Sequence, residues 1–269
     1  MVEPVEPVES GTDAEPLVLV TGGTGTLGRA VVRGLSARGR AVRLLSRRPR
    51  PAGDRGPCRW ATGDLTTGEG VDAAVSGAGV IVHCATTLGR GDVAATRRLA
   101  DAAHRAGSRP HLVYISIVGV DRVPLPYYRA KLAAERVVAE SGLPWTVLRA
   151  TQFHDLIARV TDAQRLSPVA LALAGVRFQP VDAEEVAERL ADLAVGEPAG
   201  RVPDMGGPQV RDHAELTRAT LRARGRRRPV LPLWLPGAAF RGYRAGGHLA
   251  PDHAVGRITY EEYLAGAVR

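Results

Sequence analysis

The stretch Leu17-Val-Leu-Val-Thr-Gly-Gly-Thr-Gly-Thr-Leu-Gly28 constrains this chain more than any other, because an apolar run passes directly into three evenly spaced glycines and then into a helical pattern. Val18, Leu19 and Val20 read as a strand buried on both faces, and Val31, Val32 and Leu35 give the following segment, Arg29 to Arg38, one apolar face. Strand, tight turn and helix follow. Gly22 suits a turn with positive φ, Gly25 lets backbone N–H groups come close to an anion, and Gly28 lets the helix lie against the strand. A pyrophosphate over Thr24, Gly25, Thr26 and Leu27 would meet unpaired N–H donors and the positive end of the helix dipole. Glycines at this spacing also build plain turns; the flanking strand and helix favour the nucleotide.

The length of 269 residues, 45% of them apolar, suits one large α/β unit with a small appended lobe. The formal charge of +8, from 36 Lys+Arg against 28 Asp+Glu, raises nucleic acid as a partner. Three features argue against it: the arginines are scattered, aromatic residues make up only 4%, and the densest basic run, Arg222 to Arg228, sits at one helix end. Cys58 and Cys84 fall on expected buried strands, which fits a reduced protein rather than a disulfide scaffold. No apolar run approaches the roughly 18 to 20 residues of a spanning helix, and the N-terminus lacks a secretory pattern. The expectation is a cytoplasmic protein with a small-molecule substrate, no metal and no membrane partner.

Residues 1–15, with a twice-repeated Glu-Pro-Val and little to pack, read as a disordered lead-in. Arg40 to Ser46 is the second expected strand, closed by Arg47-Arg48-Pro49. At that strand end a dinucleotide fold meets the adenosine ribose, where an acidic residue accepts from a 2′-hydroxyl and an arginine pairs a 2′-phosphate. Ser46, Arg47 and Arg48 stand there, so NADP is expected over NAD. Cys58 to Thr62 gives a third strand, followed by Gly63-Asp64-Leu65, where Asp64 either accepts from adenine or caps a turn. Val80 to Cys84 is the fourth strand. The small-residue loop beginning Ala85-Thr86 would let a cofactor pass, and His83 is read as structural.

A helix from Asp92 to Ala106 leads to a fifth strand, His111 to Ile117, with Ser116 near its end. A helix opening near Tyr127 and stopped by Gly142-Leu143-Pro144 leads to a sixth, Trp145 to Arg149. Six strands alternating with helices predict a doubly wound parallel sheet, Rossmann-like, over residues 16–150. Residues 151–269 read as a substrate-binding lobe in the same compact unit, with helices near 152–161, 182–194, 211–224 and 260–267 and extended segments near 176–181 and 201–205.

Tyr127-Tyr128-Arg129-Ala130-Lys131 places Tyr127 and Lys131 one helical turn apart, where an ammonium can lower a phenol pKa and hold a ribose. Ser116 could hold a substrate carbonyl while a phenol passes a proton. With these residues the chain resembles the short-chain dehydrogenase/reductase superfamily. The Thr21 to Gly28 motif resembles its atypical and extended branches, and Leu148-Arg149-Ala150-Thr151-Gln152-Phe153 resembles the Leu-Arg-Pro-x-x-Phe stretch of the NmrA-like NAD(P)H-binding members. Two departures stand out: Ala150 replaces the common proline, and the Ser116 to Tyr127 interval is short, which leaves Tyr127 or Tyr128 as the acid. The resemblance implies NADPH, a Ser116–Tyr127–Lys131 reductase site, and a substrate wall from Tyr128, Gln152, Phe153 and His154. It equally covers NADP(H) sensors without turnover and epimerase- or dehydratase-type enzymes, so it implies the cofactor more strongly than the reaction.

Overall fold

A computed structural model describes residues 15–54, 56 and 58–267; the expected lead-in lies outside them except for Glu15, which pairs with Arg40 at 3.1 Å. In chain order the elements are β1 (Leu17–Thr21), α1 (Thr26–Ala37), β2 (Val42–Ser46), β3 (Arg59–Thr62), α2 (Val71–Val75), β4 (Ala78–His83), α3 (Gly91–Ala106), β5 (His111–Ile117), α4 (Pro126–Ala139) and β6 (Trp145–Ala150). They continue with α5 (His154–Asp162), β7 (Ala170–Leu173), β8 (Arg177–Phe178), α6 (Ala183–Val195), β9 (Gly200–Arg201), β10 (Arg211–Asp212), α7 (His213–Ala223), β11 (Val230–Leu233), α8 (Ala238–Arg244) and α9 (Tyr260–Gly266).

The central sheet runs β3-β2-β1-β4-β5-β6-β9 with every pairing parallel. The strand order reverses direction between β1 and β4, which makes the C-terminal ends of these two strands the switch point where a doubly wound sheet opens a crevice. Alternation along each strand divides the apolar residues between two layers. Val18, Val20, Val82, Val113 and Leu148 face Val31 and Leu35 of α1 and Val186 and Leu190 of α6. Leu19, Ile81, Leu112 and Val147 face Leu99 and Ala103 of α3 and Ala134 and Val138 of α4. Strands flanked by helices on both faces must be apolar throughout, hence the continuous runs seen in sequence.

Two segments expected in the lobe belong to this sheet's layers instead. Helix α6, capped by the Asp182 carboxylate on the Glu184 N–H at 2.8 Å, packs on α1, and β9 forms the sheet edge beside β6. The rest of the C-terminal part is a lobe of short pieces: β7 pairs with β11, β8 with β10, and Ile157, Val176, Phe178, Leu216, Tyr260 and Leu264 form its own apolar cluster. Helix α8 carries Tyr243 across to Tyr128 of α4, tying lobe to sheet above the strand ends.

Candidate active site

The glycine turn has the geometry that its sequence suggested. Gly22 sits at φ 69°, and a Cβ on Gly28 would lie 2.1 Å from the Gly22 carbonyl oxygen, so both positions exclude side chains. A Cβ on Gly25 would meet only that oxygen, at 3.3 Å. Beyond it the path is open. Thr24 and Gly25 are exposed, Thr26 and Leu27 begin α1, and the first turn of any helix leaves N–H groups without internal acceptors. A dinucleotide pyrophosphate fits this cradle.

At the end of β2, Ser46 is buried and accepts from the Arg48 backbone N–H at 3.1 Å. The Arg47 and Arg48 side chains are exposed and form no ion pair among the described residues. Asp64, for which two roles were open, uses Oδ1 to accept from the Thr66 N–H and hydroxyl, each at 2.7 Å, and these bonds hold its pKa below the usual carboxylate value. That is a turn cap. Leu65 beside it is buried.

His83 is 1% exposed, and its bonding pattern is fully determined. Thr96 donates its hydroxyl to the Asp92 carbonyl, so it accepts from His83 Nε2; His83 Nδ1 then accepts from Thr21, whose hydroxyl accepts from Ala85 N–H. Burial pushes this imidazole down to about 3, so it stays neutral and joins β1, β4 and α3. The structural role expected of it is the one it has.

Lys131 is the only lysine of the chain; the other 35 of its 36 Lys+Arg residues are arginines. It is 4% exposed, donates to the Ile115 carbonyl at 2.8 Å, and lies 4.2 Å from the centre of the Tyr114 ring. Burial lowers its pKa to about 8, opposed chiefly by the charge of Asp92. Ser116, at the end of β5, is buried with its hydroxyl unpartnered, as is the Tyr114 hydroxyl. Tyr127, half-buried, bonds Thr86 Oγ1 at 3.3 Å rather than Lys131, and burial raises its pKa where the sequence had suggested lowering by the ammonium. The physical reason is geometric: the ammonium donates to the Ile115 carbonyl and not to the phenol, leaving desolvation to dominate at Tyr127.

Tyr128 is the more enclosed of the two tyrosines. Its hydroxyl receives bonds from Gln152 Nε2 at 3.1 Å and the Tyr243 hydroxyl at 3.0 Å, while Gln152 Oε1 has no partner. Of the expected substrate wall, Tyr128 and Gln152 therefore come together near Tyr127. Phe153 packs on the apolar layer beneath the sheet. His154 is fully buried in the lobe, bonded to the Ile258 carbonyl at 3.0 Å and 5.2 Å from the Tyr263 ring. It is a core residue there, turned away because it opens α5 on the face that meets α9.

Sequence reasoning missed two residues that shape the site. Tyr243 arrives from 115 positions downstream of Tyr128 on a short helix without periodic signal. Asp92 was read only as a helix start; its carboxylate in fact accepts from the Thr86 hydroxyl, the Thr87 hydroxyl and the Thr87 N–H. The loop Ala85 to Leu88 takes its shape from that carboxylate. Arg149, buried in β6, clamps Glu135 of α4 through two bonds of 2.8 and 2.7 Å and reaches Asp121 at 3.0 Å, fixing the helix that carries Tyr127 and Lys131. Among the described residues no group of His, Cys, Asp and Glu is placed to hold a metal, and no helix is long and apolar enough to cross a membrane.

A family model described as NAD(P)H-binding matches residues 22–194. The chain is 31% identical over 218 residues to the (4-alkanoyl-5-oxo-2,5-dihydrofuran-3-yl)methyl phosphate reductase of Streptomyces griseus, covering 78% of this chain and 74% of that one. It is 30% identical over 233 residues to the chloroplastic divinyl chlorophyllide a 8-vinyl-reductase of Oryza sativa, covering 76% of this chain but only 57% of the rice protein. Among solved structures, an NADPH-dependent quinone oxidoreductase of Escherichia coli in complex with NADPH superposes with a TM-score of 0.80 at 18% identity, over 94% of this chain and 100% of that one. The triphenylmethane reductase of a Citrobacter species, complexed with NADP(H), gives 0.75 at 20% identity over 93% and 99%. At these identities the likeness is one of fold.

Proposed function

This chain belongs to the NAD(P)H-binding family, and from that premise we propose that it is an NADPH-dependent reductase of a small carbonyl or conjugated organic molecule. One observation carries the proposal. In a chain whose other Lys+Arg residues are all arginine, the single lysine is buried one turn from Tyr127 and bonded to the carbonyl preceding a strand-end serine whose hydroxyl has no partner among the described residues. Arginine and lysine serve equally on a surface, but only lysine gives a compact ammonium that fits such a position and can titrate near neutrality.

NADPH supplies the hydride when bound; the chain supplies everything else. The α1 N-terminus and Gly25 would receive the pyrophosphate, and Arg47, with Arg48, would pair the 2′-phosphate. Lys131 would present positive charge to a bound nicotinamide ribose and to the oxygen that gains negative charge during reduction. Ser116 donates to that oxygen, and Tyr127, a phenol protonated at neutral pH, delivers the proton to it. Relatives named as reductases support this reading, including one acting on an unsaturated oxo-furan phosphate. Tyr128, Gln152 and Tyr243 close the substrate side.

A second reading, an NADP(H) sensor without turnover, draws on the absence of a Tyr127–Lys131 bond. Lys131→Met separates them. In a reductase the substitution lowers both NADPH affinity and kcat, the latter by about 100-fold. A wild type that binds NADPH yet reduces no ketone, enone or quinone in a broad panel favours the sensor.

A further inference from the structure

Two buried charges face this site without an ion-pair partner among the described residues. Lys131 ends on a backbone carbonyl, and Asp92, 3% exposed, ends on Thr86 and Thr87. Between them stand Thr86 and Tyr127, and the direction of each hydrogen bond follows from the donors available. Thr86 has one hydrogen, given to Asp92 Oδ2 at 2.7 Å, and its oxygen already accepts from the Leu88 N–H at 3.0 Å. The bond to Tyr127 is therefore donated by the phenol. Asp92 thus dictates that Thr86 presents a lone pair, not a hydrogen, to Tyr127. The other carboxylate near Lys131, Glu135, is already held by both arms of Arg149.

We propose that Asp92 is a positioning residue of this site: its carboxylate fixes Thr86 as the acceptor that holds the Tyr127 hydroxyl, and it supplies the counter-charge of the buried Lys131 ammonium. This rests on the reductase reading for its catalytic consequence, though not for its electrostatics. The titratable and charged groups around the two side chains are His83 from β4 and Cys84 just after it, Tyr114 from β5, Asp92 from α3, and Tyr128 and Glu135 from α4, with Arg149 of β6 bonded to Glu135. His83 is neutral, burial raises Tyr114 and Tyr128 and pushes the Cys84 thiol up to about 12 so that none of the three ionises near neutral pH, and Glu135 is paired with Arg149. Asp92 is left as the unmatched charge. It raises the pKa of Lys131 and of Tyr127 alike, which favours the charged ammonium and the protonated phenol.

The single lysine makes the test direct. In protein labelled with [ε-13C]lysine, one side-chain resonance reports Lys131, and its midpoint should fall by about one pH unit in Asp92→Asn while staying near the parent value in Asp92→Glu. An equal midpoint in Asp92→Asn overturns the proposal. Thr86→Val, a change in an exposed loop that leaves the Asp92 charge in place, keeps the fold secure: Lys131 should titrate as in the parent, while the ring-carbon signal of Tyr127, assigned by Tyr127→Phe, shifts at neutral pH. An unmoved Tyr127 signal also overturns it. None of these readouts needs turnover, so a shifted lysine in a protein that consumes no NADPH sinks the reductase reading alone.

Discussion

The cofactor side of the crevice and its substrate side are built by different means. The cofactor side is local: Gly22, Gly25 and Gly28 lie within seven residues, and each dimension of the cradle is set by a missing side chain. The substrate side is assembled from afar, by Tyr128, Gln152 and Tyr243, whose hydroxyl and amide groups meet across 24 and 115 positions. A turn that must clear a backbone oxygen by ångströms tolerates few residues. A wall of aromatic rings tolerates many, which is why one scaffold serves different substrates.

Acid should break the two sides unequally. His213 and His248, both buried in the lobe, are held down to about 4, first of all by burial. A histidine neutral when folded and protonated when unfolded contributes stability that is present above about pH 6.5 and is lost as the pH falls from there towards 4. The loss is about 1.4 kcal/mol per pH unit for each group. His213 Nδ1 also accepts from the Leu173 N–H at 2.9 Å, so protonation breaks the bond holding β7 to α7. His83, between β1, β4 and α3, carries the same linkage, but protonation of His213 also removes the acceptor that joins β7 to α7, so amide exchange across pH 7 to 4.5 should show β7 and α7 opening before β1 and β4; simultaneous opening would remove the distinction.

Gly25→Val should leave the melting temperature near the wild-type value while lowering NADPH affinity by about 100-fold or more, since the new branches enter the open path rather than the packed core. Isothermal titration checks it, and retained affinity would reduce the motif to a turn. Arg47→Ala should cost roughly tenfold to hundredfold in NADPH affinity and little in NADH affinity, sharpening the cofactor side to a single phosphate contact. The smallest effect belongs to the substrate side: Tyr243→Phe removes one donor to Tyr128 and should cost about 1 kcal/mol of stability, leaving NADPH binding unchanged. A large loss of cofactor affinity in that variant would mean the two sides are coupled.

The same contrast explains what could be read from sequence. The six strands of residues 17–150 and the glycine turn were legible because buried parallel strands need continuous apolar runs and helices between them repeat on one face. Helix α6 was legible as a helix but not as a layer of the sheet, since nothing in Ala183–Val195 states which apolar surface it meets. Strand β7 and helix α8 were missed: Ala170–Leu173 is four small and apolar residues, and Ala238–Arg244 buries none of its own. Tyr127, Lys131 and Ser116 were singled out by spacing. Spacing could not show that the ammonium would turn to Ile115, nor that Asp92, unremarkable at a helix start, would organise the loop opposite the phenol.

The central claim is that Tyr127 donates the proton in an NADPH-dependent reduction, and NADPH consumption tests it most directly. Wild type and Tyr127→Phe are compared for NADPH affinity and for turnover with ketones, enones and quinones. The expected result is substrate-dependent NADPH oxidation by wild type, a kcat lower by about 100-fold or more in Tyr127→Phe, and cofactor affinity unchanged within about twofold. Equal turnover in the two proteins, or its loss in Tyr128→Phe alone, would contradict the assignment.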